Sequence, residues 1–289
     1  MRNTPPKAVA TIPAGNGPDG ISVDGSVVWV SNSAGNTLTR LDTDSNKPLG
    51  EPVPVGRNPD EVDAADGFVW VANTDDGTVT RLQADPDPGD LDTVPVGAGP
   101  EGLSLGEQLV WVANGDEDTV TRIDRASAEP VGTPIGVGNK PIGIFVGEDN
   151  VWVTNSFSGT VMRIDPSTAA VKGSPVPVGK NIRSVTEGLG FAWVSSVDED
   201  TVTRLDLRSG QVVGEPIQVG DRPKEMAVAG GLIWVVNEGS GSVSRIDPAN
   251  GRVVGKPIRV GRKPVGIAAG AGSLWVANNA SDTVTRIDP

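Results

Sequence analysis

Apolar and polar residues alternate along this chain in short runs, with glycine, asparagine, aspartate and proline gathered between them. In Gly20-Ile21-Ser22-Val23-Asp24 every second side chain is apolar, the two-residue period of a strand with one buried face. Val27, Val28, Trp29 and Val30 form a second run, β-branched around an indole. Residues 37–42 alternate Thr with Leu and Arg, and residues 50–55 make a fourth run interrupted by Pro52 and Pro54. Proline removes a ladder donor, so the fourth strand is expected outermost. The clusters between runs carry turn chemistry. No segment sustains a 3.6-residue period, so helix is expected to be essentially absent.

The pattern then repeats. Trp29, Trp70, Trp111, Trp152, Trp193, Trp234 and Trp275 stand 41 residues apart, and they are all the tryptophans of the chain. Seven such units nearly exhaust the 289 residues, which predicts a single domain over residues 1–289. Four antiparallel strands per unit, repeated seven times, predict an all-β, seven-bladed β-propeller. The last unit stops at Asp288-Pro289, after its third strand, while residues 7–15 carry the pattern of residues 252–261. The N-terminal segment, residues 3–10, is therefore expected to complete the blade ending at Pro289 and to hide two strand edges.

Residues kept in every unit read as scaffold, because an unrelated ligand touches a ring asymmetrically. The tryptophans are expected between blades. Arg40, Arg81, Arg122, Arg163, Arg204, Arg245 and Arg286 are expected to pair with the Asp two residues on, Gln83 being the exception, with stacking on a Trp also open. Gly15, Gly56, Gly97, Gly138, Gly179, Gly220 and Gly261 end the outer strand and suggest positive φ. Asn32 and its equivalents suit loop capping, with Ser196 in place of Asn in the fifth unit.

Departures from the repeat are the functional candidates. The links between units and the links between second and third strands should share one face. There the residue after the common proline is Asp19, Asp60, Glu101, Ile142, Arg183, Lys224 and Val265. Ile142, Phe145, Phe157, Arg183, Glu187 and Lys224 could form a pocket for a small ligand with apolar and anionic parts; neutral variation is the other reading. Asp60, Glu61 and Asp63 could hold a hard cation through oxygen ligands, or form a solvated acidic rim.

A net charge of −13 argues against nucleic acid and anionic membrane as partners, since both need a basic footprint. No apolar run approaches a membrane span, and residues 1–10 lack a signal peptide's apolar core. Cysteine, histidine and tyrosine are absent. That removes thiolate ligands, disulfides and the commonest general base. No phosphate-binding, nucleophile-elbow or dinucleotide motif occurs in a usable context, no catalytic carboxylate pair is marked, and no cofactor is expected.

Val69-Trp70-Val71-Ala72-Asn73, Thr78-Val79-Thr80-Arg81-Leu82 and Gly97-Ala98-Gly99-Pro100-Glu101-Gly102-Leu103 resemble the YVTN and streptogramin-lyase-like family of propeller repeats. The likeness covers the whole chain. It implies a propeller and, in the lyase members, histidines and a glutamate beside a magnesium ion on the loop face. The corresponding slot is the residue after the common proline, which holds Glu101 but no histidine. The resemblance also implies an extracellular or periplasmic sensor-type domain. The expected function is a non-enzymatic binding or sensor module or scaffold, monomeric, taking a small molecule or protein on the loop face. A metal-assisted lyase or hydrolase on that face is the alternative, and a designed or repeat-amplified ring without natural ligand is another.

Overall fold

The β-branched runs, the period-two alternation and the turn clusters give seven blades of four antiparallel strands arranged in a ring, in a computed structural model that describes residues 5–84, 89 and 91–289. The second blade is typical: Pro59–Ala65, Phe68–Asn73, Thr78–Gln83 and Asp92–Pro95 run from the axis outward, each paired with the next. The only helical segment among the described residues is one 3-10 turn, Asn279–Ser281.

Outer strands are the weakest. In the first blade the outer strand is split into Lys47–Pro48 and Val53–Pro54, in the sixth into Arg252–Val253 and Ile258–Arg259. Pro52 and Pro257 lie in the gaps, where a missing N–H breaks the ladder. The inner strands carry a different irregularity. Between Pro59↔Asn73 and Val62↔Val71 the inner strand spends one residue more than its partner, a β-bulge repeated in every blade. The bulge breaks strict alternation near the loop face, so Asp60 and Glu61, neighbours in sequence, both line the space around the axis.

Closure occurs through the two ends of the chain. Lys7–Pro13 pairs with Thr283–Asp288, from Lys7↔Asp288 to Pro13↔Thr283. The strand thus runs further than the expected residues 3–10, of which Asn3 and Thr4 lie outside the described residues. A bulge between Ala8 and Ala10 leaves Val9 42% exposed, so the buried contact of this strand is made by Ile12.

Seven apolar clusters form the core, one at each blade junction. Trp29 packs with Val62, Val69, Val71 and Leu82 of the next blade, and Trp275 packs with Ile21, Val28, Val30 and Leu41 of the first. All seven indoles are buried. The expected Arg–Asp pairing is corrected by the register. Arg and Trp stand directly opposite one another, as in Trp152↔Arg163, and six of the guanidinium groups lie 5.1–6.0 Å from their Trp rings. Arg81, Arg163, Arg204 and Arg286 reach into the next blade's turn, Arg163 donating to the carbonyls of Arg208 and Ser209 at 2.9 and 2.7 Å, while Arg245 donates to the Lys256 carbonyl of its own blade. The aspartates instead close their own turns, Asp206 accepting from the Ser209 N–H and hydroxyl. Only Arg286 and Asp288, 3.8 Å apart, show the expected pairing among the described residues.

The repeated glycines need a second correction. Of the seven, only Gly179 has positive φ, at 149°. The others are required by a close approach: a Cβ on Gly138 would stand 2.7 Å from Asn155 Cγ, and one on Gly15 2.4 Å from Asn32 Cγ. Asn155 Oδ1 accepts from the Gly138 N–H, while Asn32 Nδ2 donates to Thr37 and Thr39. The carboxamide is a latch between outer strand and central hairpin, and only glycine leaves room for it.

Candidate functional site

The bulged inner strands converge on a cavity of about 430 Å³ to which all seven blades contribute, from Ile21 in the first to Ile267 in the seventh. The two sets of loops expected on one face do lie together there. Ser33 N donates to Gly17 O and Gly115 N to Gly99 O, both at 2.8 Å.

Arg183 is the only cation lining the cavity among the described residues. It lies across the ring from its partners, donating to Glu101 Oε2 at 2.8 Å and approaching Asp60 Oδ2 at 3.4 Å. Lys140 holds the other oxygen of Glu101 at 2.7 Å. Against these cations stand Asp60, Glu61, Asp63, Glu101, Glu187 and Glu225 in the lining, with Asp19 beside them. Burial, only partly relieved by Arg183, pushes Asp60 and Glu225 up to about 7 and Asp19 to about 6. Burial also drives Glu61 well above the usual range, reinforced by the Glu225 charge and by a hydrogen bond in which Glu61 keeps the proton and Glu225 accepts it. Asp19 Oδ1 is buried and accepts no hydrogen bond among the described residues.

Ile142, Phe145, Arg183 and Glu187 come together around this cavity. Phe157 and Lys224 do not line it. Phe157 is 77% exposed on the loop between its second and third strands, and Lys224 turns to Glu238 at 3.5 Å. Glu187 accepts from Trp152 Nε1 at 2.9 Å. In the next three blades the same indole N–H reaches a backbone carbonyl, that of Gly188, Ala229 or Gly270. The expected anion preference also changes, because Arg183 already faces two carboxylates.

Asp60, Glu61 and Asp63 are not gathered around one point. Asp60 faces Arg183, Glu61 faces Glu225, and Asp63 accepts from Leu105 N, Ala64 N and Ser22 Oγ. No group of three or more His, Cys, Asp or Glu among the described residues is placed to hold a metal ion. Glu225 was not among the sequence candidates, although a signal existed. It stands where Gly20, Gly102, Gly143 and Gly266 stand in other units, as does Glu61.

Fold and site together define a seven-bladed β-propeller with a carboxyl-rich axial cavity. No protein-family model matches the chain, and no curated protein sequence does. Among solved structures it resembles virginiamycin B lyase from Staphylococcus aureus, with a TM-score of 0.84 at 19% identity over 99% of this chain and 100% of that one. A streptogramin B lyase structure gives 0.82 at 19% identity, covering 98% and 96%. Hydrazine synthase from Kuenenia stuttgartiensis gives 0.81 at 18% identity, covering 100% and 99%. Neighbours with such different names share the architecture, so the ring does not select an activity. No helix among the described residues is long and apolar enough to cross a membrane.

Proposed function

We propose that this protein is a non-enzymatic binding module whose axial cavity takes a small organic cation, an ammonium group on an apolar body. The observation that carries this reading is the surplus of carboxyls over cations in the cavity lining, with Arg183 alone among them. A bound ammonium would supply the missing positive charge and donors for the carboxyls of Asp60 and Glu225 in the lining. Ile142, Ile144, Phe145 and Val185 offer apolar contact beside the charged group.

Binding would also move protons. A cation favours the ionised form of its neighbours, so Asp60 and Glu225, held near 7, would release protons on uptake. Affinity would therefore rise between pH 6 and pH 8. Isothermal titration with n-butylammonium, in two buffers of different ionisation enthalpy, reads both quantities. Saturable binding with proton release, weakened in Glu225→Gln and absent for butyrate, is expected. Butyrate binding in place of the amine would overturn the reading. Magnesium-dependent opening of a streptogramin ring, lost in Glu101→Gln, would replace it with the lyase alternative.

A further inference from the structure

The positive charge of this acidic chain is concentrated in one place. Residues 222–263 hold eight Lys and Arg against three Asp and Glu, in a chain whose net charge is −13. Part of this excess faces a groove of about 710 Å³ on the loop face between the sixth and seventh blades, lined by Arg222, Arg259, Arg262, Lys263, Ser240 and Ser281. Glu238 is the one carboxylate in the lining among the described residues, and Arg222 and Lys224 already occupy it at 3.0 and 3.5 Å; the Asp221 carboxylate stands against Gly239 at the groove's edge.

Apart from Glu238, the polar side chains of the lining can all donate. Arg259 Nη1 is fixed on the Ser240 carbonyl and Arg262 Nη2 on the Ala280 carbonyl, each at 2.7 Å. One donor of each guanidinium is used, and a guanidinium has five. Ser240 Oγ accepts from Asp221 N and Ser281 Oγ from Arg262 N, each at 2.8 Å, which leaves both hydroxyl protons to donate elsewhere. The Lys263 ammonium makes no hydrogen bond or ion pair among the described residues, and the residue is exposed. The blade does not demand these cations. The position of Arg259 is Pro13, Pro54, Pro95, Gly136, Pro177 or Gln218 in the other units, and that of Arg262 is Asn16, Arg57, Ala98, Asn139, Lys180 or Asp221.

The geometry points to this groove as a binding site for a doubly charged oxyanion of the phosphate class, free or as a monoester. Forked guanidinium groups match the paired oxygens of phosphate, and a dianion balances the net positive charge of the lining better than a single carboxylate would. The site is separate from the axial cavity and does not rest on its reading.

Titration calorimetry at low ionic strength with inorganic phosphate, and in a second arm with phosphoserine, tests it. Saturable binding in at least one arm is expected, the tighter arm identifying the source of the phosphate. The exposed pair Arg259→Gln/Arg262→Gln should weaken it about tenfold or more, as loss of charge-assisted bonds requires. Arg252→Gln, outside the groove, should leave it unchanged. Amide NMR shifts on phosphate addition should centre on Ser240 and Ser281, and matching spectra without phosphate would establish that the double variant is folded. The proposal is overturned by no saturable binding in either arm, or by a folded double variant that binds as the parent does.

Discussion

Removing Arg183 should destabilise the ring by an amount that depends on pH, in a direction fixed by the groups around it. The guanidinium faces Glu101 at 2.8 Å and Asp60 at 3.4 Å, with side-chain exposures of 20%, 11% and 18% for Arg183, Glu101 and Asp60. Deleting one partner of so buried a pair costs about 3–5 kcal/mol, because the other charge is left behind. The carboxyl neighbours set how much of this is felt. Asp60 and Glu225 titrate near 7 in the folded state, above their ordinary values of 3.8 and 4.5. Between those limits the folded state holds more protons than the unfolded one, so their contribution to stability is present at low pH and lost as pH rises through 7. At pH 8 both are ionised and need the guanidinium; at pH 5 both are mainly neutral and need it little. Arg183→Gln should therefore lose roughly 3 kcal/mol at pH 8 and about 1 kcal/mol at pH 5. Urea unfolding at the two pH values, followed by tryptophan fluorescence, measures both. Equal losses at the two pH values, or a larger loss at pH 5, would refute the electrostatic account of the cavity.

Two further predictions concern the scaffold. Gly138→Ala should cost about 1–3 kcal/mol by overpacking against Asn155; with Asn155→Ala added, the double variant should lose less than the two single losses together, and simple additivity in a double-mutant cycle would show that the latch does not explain the glycine. Deleting residues 1–13 removes the strand paired with Thr283–Asp288 and the buried Ile12, a loss of several kcal/mol at about 0.5–1.5 per hydrogen bond and 1.5–3 for the side chain. The bared edge should also cause concentration-dependent association; a truncated chain that stays monomeric and as stable as the parent on size exclusion and thermal unfolding would contradict closure by the termini.

The ring was legible in the sequence because its determinants are local and repeated. The two-residue alternation, the turn residues and the 41-residue spacing of the tryptophans act within one blade or between neighbours, and seven copies leave little freedom in how the blades are stacked. The missing fourth strand of the last unit foretold closure by the N-terminus for the same reason. What escaped were reasons that depend on contact between strands. Gly138 at the end of its outer strand is fixed by Asn155, 17 residues away, and Arg163 is held by a turn of the following blade.

The site was decided at longer range still. Arg183 meets Glu101 and Asp60 from 82 and 123 residues away. Sequence comparison of the units could mark these residues as departures, yet it could not give the sign of the charge where they meet. Closing seven inner strands around one axis brings carboxyls from separate blades into a shared, poorly solvated space, and their mutual repulsion and desolvation exist only there. The chain alone thus determined the blades and their number. Only the closed ring decided that Arg183 is already paired, that Phe157 faces solvent, and that the cavity is left short of positive charge.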